Sequence, residues 1–410
     1  MSIYRDFSMK SRYIISGGLR MDTTDSRTFI GFAVLDCLYW AYIGAFLGYI
    51  STYLLSNGLS SSLLSIVLAG FMAASFAGAF FWGGMCDKRQ TNKKIFLLEF
   101  PVSIALAFII YFMASRNIWI SAILYPVFGF FNSPLGSNLD SWMLRSFDRS
   151  AAVYGRARAV GSIGYAVMML VCGQLINYFG YSVIPAATAI SAAIVFVLAL
   201  IMREKPYETR KTSAQPEKAG FSDLLKIRPY VFMIVILFLT GLAISPINNL
   251  KIIILESVGG DVSSLGMDAF IGVLFQSVFI FISGQLKLIP KGIRLFLIPL
   301  LVLVTLSLTY FAVAPFMIIL GTVINNVSYG IMLPTMREIT ESSVSGPLKN
   351  RAHAMCDATY GSFAGVIALI YSGFLMDTFG ARSVALLGMA VMLVPVAMTF
   401  VTMLKEMHKA

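Results

Sequence analysis

Long runs of apolar residues, separated by short polar stretches, recur along the whole chain. A helix needs about 20 mostly apolar residues to cross a bilayer. Twelve runs reach that length, near residues 28–55, 62–83, 94–113, 118–145, 157–178, 182–202, 229–254, 267–287, 294–313, 316–337, 353–375 and 382–404. This pattern predicts an all-α membrane protein with twelve transmembrane helices.

The composition argues against a soluble fold. Hydrophobic residues make up 58% of the 410 residues and charged residues only 12%, whereas soluble domains carry about 25% charged residues. The net charge of +11 is compatible with nucleic-acid binding, but the basic residues lie in short clusters between apolar runs. We therefore expect membrane lipid around the chain and no nucleic-acid partner.

The basic residues are distributed unevenly across the predicted membrane. With the N-terminus placed inside, 28 of the 31 lysines and arginines fall in inside segments; Arg116 and Arg382 fall outside, and Lys251 lies within a span. Cytoplasmic loops carry such an excess of basic residues. The sequence thus predicts a multi-pass protein of the cell membrane with both termini in the cytoplasm.

A charged segment divides the chain near its middle. We interpret residues 203–228 as a cytoplasmic linker between an N-terminal half, 1–202, and a C-terminal half, 229–410. A shift of 200 residues aligns the halves, so that Gly173-Gln-Leu-Ile-Asn-Tyr-Phe-Gly180 matches Gly373-Phe-Leu-Met-Asp-Thr-Phe-Gly380. The repeat predicts the major facilitator fold, with two pseudo-symmetric six-helix halves and a solute site between them.

The connection between spans two and three resembles a loop signature of the major facilitator superfamily. Residues 83–91 read Gly-Gly-Met-Cys-Asp-Lys-Arg-Gln-Thr and match G-x-x-x-D-[RK]-x-G-[RK] in part, with Gln90 or Thr91 in place of the second glycine. The resemblance implies a cytoplasmic loop that takes part in conformational change, formed by Gly83, Asp87, Lys88 and Arg89.

Polar residues share faces of spans four and five. Asp140 has small polar residues three, four and seven positions before it, and Asn132 eight positions before it. In span five, Arg158, Ser162 and Tyr165 share a face. Ionisable residues within spans are costly and mark candidate functional sites. A carboxylate, a guanidinium and an aromatic ring suit a polyhydroxylated solute, although Asp140 and Arg158 could instead form a structural ion pair.

The start of span five resembles a motif of the lactose permease family of oligosaccharide:proton symporters. Residues 154–165 read Tyr-Gly-Arg-Ala-Arg-Ala-Val-Gly-Ser-Ile-Gly-Tyr, against F-G-R-A-R-x-x-G-x-x-G-W in the family. The family has an acidic residue eighteen positions before the second arginine, which is Asp140 here. Residues 130–140 also resemble the phenylpropionate-permease-like branch. The resemblance implies that Asp140 and Arg158 bind a sugar on which Tyr165 stacks.

The C-terminal half departs from the lactose permease family. That family carries a His and a Glu in span ten for proton coupling, whereas residues 323–330 here hold Asn325 and no ionisable side chain. Pro246 interrupts span seven next to Asn248, and irregular backbone at this depth is tolerated only inside protein or at a cavity. We expect Asn248 and Asn325, together with Asn132 of span four, to contribute to the solute site.

Other carboxylates are candidates for a proton carrier. Asp36 lies about 12 Å into span one by helical rise, among apolar neighbours and with no cation nearby along the chain. We predict Asp36 as the carrier, with Asp357 near the start of span eleven as the second choice. Glu99 is interpreted as a lipid-interface residue. Lys251, Glu256 and Asp268 are interpreted either as forming an outer gate ion pair or as part of a solvated loop edge.

These features favour a secondary transporter that moves a small, sugar-like solute by alternating access and proton-coupled symport. Import of an aromatic acid or a nucleoside, and efflux by antiport, are alternatives; a non-transporting sensor is less favoured because no output domain is evident. The four cysteines show no pairing or metal spacing, and no nucleotide loop or nucleophile motif is present. We expect a monomer with no enzymatic activity, no cofactor and no metal site.

Overall fold

The computed structural model describes residues 14–16, 19–21, 23–147, 151–206, 224–281, 288–344 and 348–407. Two short strands, β1 (Ile14–Ser16) and β2 (Leu19–Met21), form an antiparallel hairpin. The helices are α1 (Thr23–Phe46), α2 (Ile50–Ser56), α3 (Ser61–Arg89), α4 (Lys93–Ala114), α5 (Ile118–Ser146), α6 (Ala151–Phe179), α7 (Val183–Ile201), α8 (Arg228–Asn249), α9 (Lys251–Glu256), α10 (Val262–Phe281), α11 (Lys291–Tyr310), α12 (Pro315–Ser343), α13 (Leu348–Asp357), α14 (Ala364–Phe379) and α15 (Ser383–Met407). A short 3-10 helix, Gly180–Ser182, joins α6 to α7, and a π-helical segment, Ala358–Phe363, joins α13 to α14.

The predicted number of spans is confirmed within these ranges. Eleven continuous helical segments are long and apolar enough to cross a membrane, and one of them, Val153–Ile201, has 49 residues. That segment supplies two spans because Gly180, with φ of +71°, turns the chain between α6 and α7. The first predicted span is divided into α1 and α2. The seventh is divided at Leu250, four residues after Pro246, into α8 and α9.

The predicted conformational loop is mostly helical. Asp87, Lys88 and Arg89 form the last turn of α3, and Gly83 lies further inside that helix, so the connection to α4 is only three residues long. The helix ends at Gln90, whose φ of +54° lies in the left-handed region that glycine adopts at lower cost. Gln90 is therefore the residue that stands where the loop signature has its second glycine.

Each half has its own buried core, and a third core joins them. In the N-terminal half the rings of Phe32 and Trp142 meet edge to face, with centroids 5.4 Å apart. In the C-terminal half the buried Tyr230 donates a hydrogen bond to the carbonyl of Ala352 at 2.9 Å. The joining core combines residues of both halves, including Tyr49 and Ile247. The helices that carry the site are thus held in place by packed apolar surfaces.

Two side chains of the repeated motif make polar contacts that join the halves at the end of the bundle that the charge distribution predicts to face outside. The Asn177 amide donates to a carboxylate oxygen of Asp261 at 2.6 Å. The backbone N–H of Ser62 donates to Asp377 at 2.9 Å, and the Ser62 hydroxyl contacts the same oxygen. We call these two contacts the outer latches. Asn177 and Asp377 occupy the same position of the internal repeat, so the latches are pseudo-symmetric.

The glycines of the repeat explain why the halves come so close there. A methyl group at Gly373 would collide with the backbone of Ser61 at the start of α3, and one at Gly173 would press on the carbonyl of Val262 at the start of α10. The carboxylates then meet helix N-termini, where exposed N–H groups favour a negative charge. Asp261 caps α10 by accepting from the Ser264 N–H at 2.8 Å. The repeated motif therefore closes the outer end.

Candidate functional site

A cavity of about 440 Å³ lies between the two halves. Helices α2, α3, α5 and α6 of the first half and α8, α9, α10 and α12 of the second contribute to its wall. The outer latches lie beyond it on one side. The cavity has the location that the repeat predicts for a solute site.

The cavity wall is rich in amides, hydroxyls and aromatic rings. Asn248 and Asn325 both line it, in agreement with the prediction for the C-terminal half, and so does Tyr165 from α6. Three further amides line the same space: Asn249, Gln276 and Asn326. These groups donate and accept hydrogen bonds without carrying charge.

A buried ion pair forms part of the same wall. Lys251 Nζ lies 2.7 Å from Asp268 Oδ2 and 2.8 Å from the Thr322 hydroxyl, so three helices converge on one ammonium group. Lys251 is 9% and Asp268 2% exposed. The interpretation of these residues as a solvated loop edge is therefore wrong, because the break after α8 turns Lys251 into the bundle.

A second charged cluster lies in the N-terminal half, nearer the end predicted to face the cytoplasm. The Arg158 guanidinium is 3.7 Å from Asp140 and 3.9 Å from Asp36, and its central carbon stands 4.2 Å from the centroid of the Trp40 ring. The side chains of Arg158 and Asp140 are about three-tenths exposed. The predicted pair of Asp140 and Arg158 is thus brought together, and Asp36 joins it. We call these three residues the Arg158 cluster.

Asp36 is completely buried within the Arg158 cluster. The Trp40 indole N–H donates to its carboxylate at 3.1 Å, and a side chain at Gly161 would overlap its other oxygen. Asp36 has no cation nearby along the chain, but the packing of α1 against α6 brings Arg158 to it. The premise that this carboxylate stands apart from a cation is therefore wrong, since sequence spacing does not show which faces two helices turn to each other.

Tyr165 connects the two charged regions. It lines the cavity, and its ring centroid is 6.5 Å from that of Trp40, which in turn stacks on Arg158. Tyr165 and Arg158 share one face of α6, as their spacing of seven residues requires. Tyr165 and Trp40 therefore link the cavity wall to the Arg158 cluster.

Comparison with known sequences decides the family. A profile of the MFS_1-like family matches residues 31–387. The chain belongs to this family. A maltose permease of Geobacillus stearothermophilus is 22% identical over 306 residues, covering 74% of this chain and 76% of the permease. An uncharacterised transporter of Bacillus subtilis (strain 168), YwbF, is 25% identical over 317 residues, covering 75% of this chain and 76% of that protein.

Solved structures show the same fold as this MFS_1-like protein. The nucleoside transporter NupG superposes with a TM-score of 0.79 at 14% identity, covering 92% of this chain and 99% of NupG. A bacterial homologue of the lysosomal transporter Spinster, in an inward-facing and unoccupied conformation, gives a TM-score of 0.68 at 12% identity, covering 92% of this chain and 96% of that one. The predicted major facilitator fold is confirmed, and the protein is a multi-pass membrane transporter.

Asn132 does not line the cavity. It is buried, and its amide oxygen accepts hydrogen bonds from Tyr42 at 3.1 Å and from Ser103 at 2.9 Å. Eight residues along a helix leave an angular offset of about 80° from Asp140, which turns Asn132 toward α1 and α4. Its assignment to the solute site is therefore corrected to a contact within the first half.

Asp357 and Glu99 also lie elsewhere than expected. Asp357 forms an exposed ion pair with Arg337 at 2.9 Å, so it is not a buried carrier. Glu99, expected at the lipid interface, is fully buried and accepts a hydrogen bond from Asn138 at 3.3 Å. In the sequence, a polar residue six positions after a helix start is compatible with either location, so only the packing of α4 against α5 decides it.

Proposed function

We propose that this MFS_1-like transporter is a secondary carrier for a neutral, polyhydroxylated, sugar-like solute. The observation that supports this is the wall of the cavity between the halves. Among its described lining residues the charged ones are Lys251 and Asp268, which neutralise each other. A neutral solute fits such a cavity better than an ion, because a charge moved out of water needs an opposite charge beside it.

Sugar recognition also needs hydrogen-bonding groups and an aromatic surface. The amides of Asn248 and Asn325 supply donors and acceptors for hydroxyls, and Tyr165 supplies a ring for an apolar sugar face. The Arg158 cluster at the inner side offers guanidinium N–H groups, since neither carboxylate lies within hydrogen-bonding distance of the guanidinium. The resemblance to the maltose permease supports a sugar-like solute.

A nucleoside is the second candidate. Neighbouring amides at Asn325 and Asn326, together with Gln276, match the donor and acceptor edges of a nucleobase, and Phe71 and Tyr125 add rings for stacking. The fold shared with the nucleoside transporter NupG is compatible with this solute. An aromatic acid is less favoured, because Lys251 is already paired.

We further propose that transport is coupled to protons through the Arg158 cluster. Asp36 and Asp140 share one guanidinium, so the cluster with both carboxylates ionised carries a net negative charge in a largely buried place. Uptake of one proton makes it neutral. Because the same cluster faces the solute path through Trp40 and Tyr165, solute binding and protonation are linked at one location.

Counterflow in proteoliposomes tests the proposed solute class. Purified protein is reconstituted with unlabelled maltose, uridine or phenylpropionate inside, and entry of the same labelled compound is measured. We expect maltose exchange. Exchange of uridine alone would favour the second candidate, and exchange of phenylpropionate alone would contradict the proposal of a neutral hydroxylated solute.

A further inference from the structure

The buried ion pair in the cavity wall leaves one hydrogen-bond donor and one acceptor without a partner among the described residues. The ammonium of Lys251 has three N–H donors, two of which point to Asp268 Oδ2 and to the Thr322 hydroxyl. The second oxygen of Asp268, Oδ1, is buried and accepts no hydrogen bond from the described residues. Buried acceptors in proteins normally have a hydrogen-bond partner, so this oxygen is a candidate site for a ligand donor.

The residues that carry the spare donor and the spare acceptor both line the same cavity. Lys251, Asp268 and Thr322 all line it, and they come from α9, α10 and α12. The pair is neutral as a whole, so it offers hydrogen bonds but no net charge to a solute. The hydrogen bonds to Asp268 and Thr322 use two of the three N–H groups and leave the third for another partner.

We propose that Lys251 and Asp268 form a subsite for a vicinal diol of the transported solute. One hydroxyl oxygen accepts from the Lys251 ammonium, and the neighbouring hydroxyl donates to Asp268 Oδ1. Each group then has a partner, and hydrogen bonds to charged groups are the stronger kind. The inference rests on the proposed function and narrows it to solutes with two adjacent hydroxyl groups, which both sugars and ribonucleosides carry.

The test compares solutes that differ by one hydroxyl group. The probes are glucose with its monodeoxy derivatives and uridine with its monodeoxy derivatives, and the readout is the half-saturation concentration in counterflow. For the wild-type protein we expect that removal of either of two adjacent hydroxyls weakens affinity about 10- to 100-fold, the range of a hydrogen bond to a charged group. Removal of other hydroxyls should have smaller effects.

Three variants separate recognition from folding. In Asp268→Ala, removing the solute hydroxyl that donates to Asp268 should no longer change the half-saturation concentration. In Lys251→Met, the same should hold for removal of the adjacent hydroxyl. Removing one partner strands a buried charge, so the double variant Lys251→Met/Asp268→Leu is included; apolar replacement of a buried pair preserves folding in many proteins. In the double variant, removal of either adjacent hydroxyl should leave the half-saturation concentration unchanged.

Asn248→Ala is the matched control, because Asn248 lines the same cavity and takes no part in the hydrogen bonds described for the pair. It should weaken affinity while keeping the wild-type dependence on the two adjacent hydroxyls. If the folded double variant keeps that dependence, or if the wild type shows no adjacent pair of sensitive hydroxyls, the diol subsite is overturned and the proposed function stands. If the wild type exchanges neither maltose nor any compound of the two probe series, both proposals are overturned.

Discussion

At the residue scale, Arg158 is the side chain on which most of the first-half chemistry converges. Its guanidinium faces two carboxylates at 3.7 and 3.9 Å and an indole ring at 4.2 Å. The planar group can therefore stack on Trp40 while its N–H groups remain directed at neighbours and solute. A lysine in its place would carry the same charge but neither the plane nor the fork of donors.

Arg158→Lys should consequently weaken solute affinity about 10- to 100-fold, the range for loss of a hydrogen bond to a charged group. The measurement is the half-saturation concentration in counterflow with maltose or uridine. Asp140→Asn should have a similar effect. Arg116→Lys, on an exposed outer connection, is the control and should behave as wild type. Normal binding and transport by both cluster variants would show that the Arg158–Asp140 pair is structural.

Asp36→Asn should abolish solute accumulation driven by a pH gradient and leave counterflow intact. The reason is that the variant leaves one carboxylate for one guanidinium, so the cluster no longer needs a proton to be neutral. Accumulation and counterflow are measured in the same proteoliposomes. Asp357→Asn, in an exposed ion pair, should keep both activities. Undiminished accumulation in Asp36→Asn rules this carrier out, and a loss of counterflow assigns Asp36 to solute binding or to the fold.

At the element scale, the repeated motif and the helix starts that it meets determine how the outer end closes. The repeat itself is evident in the sequence, because glycine and Asn or Asp recur at one offset. The contact that the repeat makes is not evident in the sequence, because Asp377 contacts Ser62, which lies more than 300 positions earlier in the chain. Contacts between residues so far apart in the chain depend on how α3 and α14 cross, and local sequence patterns do not predict this.

Asp377→Ala should open the outer end more often, because the start of α3 loses its carboxylate partner. The measurement is alkylation of a cysteine at position 248, in a protein freed of its four native cysteines, by a membrane-impermeant maleimide added outside intact cells. The labelling rate should rise. Asn117→Ala removes a helix cap at the same end but within one half, and should leave labelling unchanged. Equal rates in the two variants would mean that the latch contributes nothing to closure.

The other latch should be insensitive to pH. Burial raises the pKa of Asp261, but hydrogen bonds from Ser264, Asn177 and Ser263 outweigh it and lower the pKa to about 2. A carboxylate with a depressed pKa contributes stability above its ordinary range and loses it only as pH falls through the depressed value. The labelling rate at position 248 is measured in the wild type and in Asn177→Ala between about pH 5 and pH 8. We expect the ratio of the two rates to be the same across this range. A ratio that changes with pH would show that the latch titrates there.

At the scale of the whole molecule, the fold could be predicted and the site only in part. Apolar runs, an even span count and the repeat are properties of the sequence, and they led to the major facilitator fold. Asn248 and Asn325 line the cavity, as a broken helix and an amide-rich segment led us to expect, and their contact with a solute stays a prediction. The sequence did not show that Asn132 is turned away from the cavity, nor which of the two interpretations of Lys251 holds, because both depend on the rotation of one helix against another.

The orientation in the membrane remains a prediction from charge. A cysteine at position 215, in the linker and outside the described residues, should be inaccessible to an impermeant reagent in intact cells and accessible after permeabilisation. The physical reason is the concentration of lysines and arginines on one side. Strong labelling of intact cells at that position would reverse the orientation.

The outer latches have a consequence for how affinities are interpreted. A solute that enters from the cytoplasm binds only the fraction of molecules whose inner side is open, and its apparent dissociation constant is the intrinsic one divided by that fraction. Latches that hold the outer end shut raise the fraction. A weakened latch therefore lowers apparent affinity from the inside and raises it from the outside, with no change in the cavity. Opposite shifts on the two faces distinguish such a change from damage to the binding site.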